Sequence, residues 1–291
     1  MSQHSLPRPI VHLYALCWNE EKMLPFFFDH HDPFVDAYFI ADHGSTDHSR
    51  QLLDAHPRVV TTDFACSEAS FVESAREHYN RCWKASRGVA DWVIICNVDE
   101  HLHHPDLLSY LAQQKSEGTT LIVPRGYNMV SKAFPDPHLS LKSQVRFGAR
   151  EPLWDKPQIF NPSGIEEIHF AVGRHTAQPS GLVKMENRGK VQLLHYKYLG
   201  TDYLLSRSIQ LGARMRKSDL VQGWGRHYAD LGDWTRAQRE IRLTRWCAVP
   251  VYSPLKSLFV HAWVLRQSVR WMRWIQVIFN KHILNSDARK S

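Results

Sequence analysis

Cysteine is scarce in this sequence: five residues in 291, odd in number and scattered (Cys17, Cys66, Cys82, Cys96, Cys247). No two stand as C-x-x-C, which excludes a zinc ribbon or a dithiol redox pair built on that spacing. Cys17 and Cys96 sit in strand-like runs and read as reduced core residues. The opening "MSQHSLPRP" lacks a basic segment followed by an apolar one. No signal peptide is therefore expected, and the simplest compartment is the reducing cytoplasm. Internal repeats and low-complexity tracts are also absent. Acids are missing from one region only. Residues 242–291 hold nine Lys and Arg against the single acid Asp287, whereas residues 1–241 hold 27 against 28 Asp and Glu. The net charge of +7 is thus a property of the tail. An enzyme of nucleic acids would spread positive charge over its binding face, so no nucleic-acid partner is expected.

What is present is an ordinary soluble composition, 43% apolar and 22% charged, in a chain long enough for one domain and an appendage. The first half alternates. "IVHLYAL", "DAYFIAD", "RVVTTD" and "DWVIIC" read as strands, separated by helices that open at Asn19 and span about 47–55 and 70–88. That order builds right-handed βαβ units and a parallel sheet. "TTLIVPRGYNM" reads as one more strand, residues 131–165 as loops, "EEIHFAVGRHTA" and "VQLLHYKYL" as short strands, and 201–217 as a helix.

Open parallel sheets bind ligands beyond the carboxyl ends of their strands. Three strands end there in polar clusters: Asn19-Glu20, Asp42-His43-Gly44-Ser45 and Asn97-Val98-Asp99-Glu100. Each alone reads as a cap or a turn. Three on one edge point to a site. In an extended chain residues 97 and 99 share a side. An amide oxygen beside a carboxylate suits a hard divalent cation with positions left for phosphate oxygens, Mg2+ or Mn2+. His101, His103 and His104 raise zinc as a competitor. They lack the i,i+4 spacing of a helical zinc motif and read as loop and cap residues.

At this point "ALCWNEEKMLPFFFDHH", "VDAYFIADHGSTDHS", "YNRCWKASRGVADWVIICNVDEHL" and "HYKYLGTDYL" together resemble the family-2-like glycosyltransferases of the GT-A fold, in the bacterial subset marked by a D-x-D-E segment. The resemblance runs over about residues 10–216. It implies an α/β fold with a Rossmann-like, mostly parallel sheet flanked by helices. Residues 1–217 would be the transferase domain, with a nucleotide-sugar half at about 10–124 and an acceptor half at about 125–217. A basic, Trp-rich helical extension over 218–291 would follow. The implied activity is transfer of a sugar from a nucleotide diphosphosugar with a divalent metal, with inversion, in cell-surface polysaccharide or lipopolysaccharide synthesis. Asp42 matches the acid that ends the second strand and contacts the nucleotide. Asn19 and Glu20 belong to the same donor-binding edge. Asn97-x-Asp99 matches the D-x-D segment, Glu100 the acid after it, and His195 the downstream histidine of the metal or diphosphate site. Asn97 replaces the usual first Asp, which leaves Asp99, with His195, to hold the metal. Asp42-His43 stands where D-N or D-D is usual.

A departing nucleoside diphosphate gains negative charge, which nearby cations stabilise. Arg76 and Lys197 are candidates, against the plainer readings of a solvated helix face and a loop charge. The acceptor hydroxyl needs a general base within reach. Asp155, Glu166 and Glu167 are available, with Glu167 preferred over Asp155. Trp154 and Lys156, in "LWDKPQIF", read as a sugar wall and a phosphate contact, and the family has a similar W-x-K-P stretch.

Residues 253–284 contain no acid; Lys256, Arg266, Arg270, Arg273 and Lys281 interrupt an apolar run with Trp263, Trp271 and Trp274. That is too charged for a spanning helix and suits a helix in the headgroup layer of an anionic membrane, which would place the protein on the membrane's inner face beside glycan or lipid-linked acceptors. A helix packed on the domain is the alternative. Two other functions compete. A nucleotidyltransferase would need a glycine-rich phosphate loop, which "ALCWNEEKM" lacks. A membrane-associated sugar-nucleotide-binding protein with little or no activity has Asn97 as its support.

Overall fold

The computed structural model describes residues 6–186 and 189–252. The segment 253–284, with its membrane reading, lies outside the described residues. The first half runs β1 (Val11–Cys17), α1 (Leu24–His31), β2 (Ala37–Asp42), α2 (Ser49–Ala55), β3 (Val59–Asp63), α3 (Phe71–Arg81) and β4 (Trp92–Ile95). These four strands pair in parallel in the order β3-β2-β1-β4. β4 is buried along its whole length and β1 almost so, as central parallel strands covered on both faces must be.

The second half runs β5 (Glu100–His103), α4 (Leu107–Ser116), β6 (Leu121–Ile122), β7 (Arg125–Ser131), α5 (Leu141–Gln144), β8 (Phe147–Arg150), β9 (Ile159–Phe160), β10 (Ile165–Glu167), β11 (Ser180–Gly181) and β12 (Gln192–Leu199). Then come α6 (Thr201–Ala213), α7 (Lys217–Val221), α8 (Arg226–Leu231), α9 (Trp234–Cys247) and β13 (Val249–Pro250). β9 and β6 extend the first sheet antiparallel, and a second, mixed sheet has the order β13-β8-β7-β12-β5. The result is a Rossmann-like, mostly parallel first sheet flanked by helices, the α/β class that the GT-A resemblance implies.

Several local expectations change. Pro124 breaks the single strand read in "TTLIVPRGYNM", because it has no N–H for a ladder; β6 joins the first sheet and β7 the second. Residues 97–100 form a tight turn, with the Glu100 N–H donating to the Asn97 carbonyl at 3.0 Å, so Asn97 and Asp99 do not share one side of an extended chain. His101 and His103 lie on β5, not on a loop, and His101 is buried with its ring 4.8 Å from those of His30 and Tyr196. α1 opens at Leu24, and Asn19 adopts a left-handed turn (φ 51°) instead of capping it. Residues 131–165, read as loops, contain α5, β8 and β9.

Over residues 218–252 the chain packs back on the sheets. Ala237 and Ile241 of α9 bury against Val130, Tyr198 and Leu204, and β13 pairs with β8. Buried Asp219 accepts from Ser70 Oγ (2.5 Å) and the Phe71 N–H (3.1 Å), which ties α7 to the start of α3. Among the described residues no helix is long and apolar enough to cross a membrane.

Candidate functional site

A cleft of about 630 Å3 opens beyond the carboxyl ends of β1, β2 and β4. The first sheet lends it Trp18, Glu20, His43, Asn97 and Asp99. The second half adds Trp154, Lys156, Arg174, His175, His195 and Lys197, and the α6–α8 region closes it with Tyr203, Arg207, Arg214, Trp224 and Tyr228.

The rim is knitted locally. The Asn19 N–H donates to Ser45 Oγ (2.9 Å) and its side-chain oxygen accepts from the Thr46 N–H (2.7 Å), joining the tips of β1 and β2. Asp42 is buried and accepts from the N–H (3.0 Å) and hydroxyl (2.5 Å) of Ser45. It shapes the rim and is not among the lining residues. Glu20 does line the cleft, in an ion pair with Arg207, which also donates to the Trp18 and Asn19 carbonyls, both at 3.1 Å. Burial pushes the Glu20 carboxyl up to about 7, against the pull of Arg207.

His195 Nε2 lies 3.2 Å from an Asp99 oxygen. The sheet creates the meeting, because His195 of β12 stands opposite Glu100 of β5. His195 Nδ1 lies 3.1 Å from Asn128 Oδ1, so it donates there and leaves Nε2 aimed at Asp99. Burial raises the Asp99 carboxyl, but the imidazole outweighs it and the net direction is down. Two donors at this separation fit adjacent positions around one ion with bonds of about 2.1 Å, and the Asn128 contact is the support metal-bound imidazoles use. Among the described residues no group of three or more His, Cys, Asp and Glu is placed to hold a metal. Asn97 is not aimed at the pair: its side-chain oxygen accepts from Arg174 at 2.6 Å.

Glu100 faces the other way. It is fully buried and accepts from Lys156 (2.5 Å), Gln158 (2.7 Å) and the Asn97 N–H (3.0 Å), with Arg174 at 3.5 Å. Burial opposes its ionisation, yet Lys156 and Arg174 hold its carboxyl well below the ordinary range. Trp154 walls the cleft, its ring centre 4.1 Å from that of His195, with Lys156 4.3 Å above it. Gly126 permits that placement, since a Cβ there would lie 2.2 Å from Trp154 Cβ.

Lys197 lines the cleft with no side-chain hydrogen bond or ion pair among the described residues, near the rings of Tyr198 and Tyr228 (5.9 and 5.7 Å). Burial lowers its ammonium to about 8, with Asp99 and Glu240 opposing. Arg76 also lines the cleft, paired with Glu73 at 2.6 Å.

Glu167 and Asp155 lie outside the lining. Glu167 belongs to the separate β10–β11 pair and is ion-paired with Lys84. Asp155 is ion-paired with Arg150 and accepts the Gly126 N–H at 2.7 Å. Among the described residues the acids that line the cleft are Glu20 and Asp99. Sequence reasoning missed Arg174, Arg207 and Arg214. Arg214 stacks 3.6 Å over Trp18 and donates to the His43 carbonyl at 3.0 Å. Arg207 and Arg214 stand seven apart, two helical turns, so their common face was readable. Arg174 follows a glycine in a short irregular turn and carried no such signal.

No protein-family profile matches the chain, and no curated protein matches it in sequence. Among solved structures, S. aureus TarS is 11% identical with a TM-score of 0.42, over 85% of this chain and 44% of that one. A TarS fragment with UDP bound is 10% identical with a TM-score of 0.37, over 53% of this chain and 47% of that one. Glucosyl-3-phosphoglycerate synthase from Mycobacterium tuberculosis, with Mn2+, UDP and glucosyl-3-phosphoglycerate, is 20% identical with a TM-score of 0.28, over 41% and 44% of the two chains. In these three the match spans less than half of the other chain's length.

Proposed function

We propose that this protein is a metal-dependent glycosyltransferase that moves a sugar, with inversion, from a nucleotide diphosphosugar to an acceptor hydroxyl in cell-surface polysaccharide or lipopolysaccharide synthesis. The observation that carries the reading is the Asp99–His195 pair in a cleft that also presents Lys197, Arg207 and Arg214, with Lys156 and Arg174 in its wall bound to Glu100. That set of donors suits a diphosphate and the charge it gains on leaving. Asp99 and His195 would hold Mn2+ or Mg2+, which supplies Lewis-acid charge to the phosphate oxygens. Asn19, Glu20, Asn97 and Arg76 form the donor edge, and Asp42 contributes by holding the Ser45 turn. Lys197, without a side-chain hydrogen bond or ion pair among the described residues, is the cation for the leaving group, and Trp154 backs the sugar. Since Glu167 and Asp155 are engaged outside the cleft and Asp99 is placed for the metal, deprotonation of the acceptor is assigned to Glu20, the other acid lining the cleft, which would have to part from Arg207 to act. The segment 253–284 is proposed to lie on an anionic membrane surface that carries the acceptor.

The test is thermal stabilisation by UDP with and without Mn2+, followed by hydrolysis of UDP-glucose and UDP-GlcNAc without acceptor. Metal-dependent stabilisation and metal-dependent hydrolysis are expected. If no nucleoside diphosphate stabilises the protein with either metal, the reading fails. Binding without any hydrolysis would leave a sugar-nucleotide-binding protein instead.

A further inference from the structure

α9 buries Ala237, Ile241, Thr244 and Cys247. Its opposite side exposes Arg239, Arg242, Arg245 and the Trp246 ring, the last 49% accessible. The helix runs directly into β13, whose Val249 and Pro250 pair with Gly148 and Phe147 of β8. At that edge Lys142, Arg146 and the Phe147 ring are also exposed. The side chains of these five cations form no hydrogen bond or ion pair among the described residues, although Lys142 lies 5.3 Å from the Tyr252 ring. Arg236, by contrast, is paired with Asp230 at 2.7 Å and is not counted. Glu240 on the same helix lies close enough to half-buried Lys197 to oppose the lowering of its pKa, and Asp136, before α5, accepts the His138 N–H.

We infer that the folded domain itself presents a docking face for an anionic lipid surface, made of the outer side of α9 and the adjoining edge of β8. Unpaired arginines meet headgroup phosphates, and Trp246 and Phe147 enter the interfacial layer. Exposed rings among the cations favour lipid over a purely electrostatic polyanion. The described chain ends at Tyr252 beside this edge, and the acid-free segment 253–284 continues from there. α9 packs on α6, which lends Arg207 and Arg214 to the cleft, so docking would bring the cleft to within one helix layer of a lipid-borne acceptor. The inference rests on the lipid-surface part of the proposed function and not on its sugar chemistry.

The full chain is floated with vesicles of phosphatidylcholine alone and with added phosphatidylglycerol, without nucleotide. Binding only to the anionic vesicles is expected. Arg239→Gln, Arg242→Gln and Arg245→Gln together should weaken it on the order of 100-fold, about fivefold per charge. Phe147→Ala with Trp246→Ala should weaken it further at high salt than at low. Stabilisation by UDP and Mn2+ checks that each variant is folded, and a failure there with intact vesicle binding would count against the transferase reading alone. Hydrogen exchange on the unaltered protein gives a readout independent of any variant: protection over 139–147 and 236–246 on vesicles supports the face. Protection confined to 253–291, wild-type binding by folded variants, absence of binding to anionic vesicles, or equal binding to duplex DNA would each overturn it.

Discussion

Asp99 and Glu100 are neighbours in sequence at the same strand tip, and their surroundings are opposite. Glu100 points behind the cleft, fully buried and held by Lys156, Gln158, Arg174 and a backbone N–H. Asp99 points into the cleft, ion-paired with His195 and with no other such partner among the described residues, its side chain 27% accessible. The saturated carboxylate fixes two cations and the wall that bears them. The other keeps coordination capacity in hand. One turn thus divides an enclosed charge from an open one, and the Asn97 side chain, bonded to Arg174, stands on the enclosed side.

The sharpest way to break this contrast is Glu100→Gln. It leaves Lys156 and Arg174 buried without their counter-charge and should cost about 3–5 kcal/mol, read by denaturant unfolding. An unchanged midpoint would refute the structural role. Because the Glu100 carboxyl is depressed in the folded state, its contribution is present above the unfolded value of about 4.3 and is lost as pH falls below it. Acid destabilisation should therefore be shallower in the variant.

Asp99→Asn should do the reverse. Stability should move by less than about 1 kcal/mol, while the Mn2+-dependent part of UDP stabilisation disappears. Retained metal dependence would place the cation elsewhere. Asn128→Ala acts one step back, by releasing His195 Nδ1, and should weaken Mn2+ affinity about 10–100-fold with little change in UDP affinity measured without metal.

The smallest effect is expected at Lys197. Its ammonium is lowered to about 8 in the free protein, so its charge is present below that pH and lost above it. UDP affinity should fall, about tenfold or less, as pH rises through this range. Lys197→Gln should bind more weakly at low pH and lack the drop. A drop that persists in the variant would assign it to another group.

Much of the first half was legible before any coordinates. "IVHLYAL" and "DWVIIC" are apolar without alternation, the mark of strands covered on both faces, and they became β1 and β4 beside one another. The polar tips after β1, β2 and β4 therefore had to share an edge. The second half was read poorly because its strands are short and change sheets. Pro124 sends two adjacent strands to different sheets, and β10 carries Glu167 out of the cleft. Arg174 shows the limit well. It has no periodicity to betray it, yet it reaches the Ile95 carbonyl at 2.9 Å and the Asn97 side chain, both far back in the chain.

Residue order alone determined which strands are central, that their tips are polar, and that the excess positive charge lies after residue 241. Those are local matters, set by the period of apolar residues and by composition. The tertiary structure decided which carboxylate is open and which is enclosed, that Asp99 meets His195, and that Arg207 and Arg214 of α6 complete the cleft. Pairing between β12 and β5, and the packing of α6 over the strand tips, bring together residues about a hundred or more positions apart. A carboxylate's role follows from its distance to cations and water, and no local pattern encodes that distance.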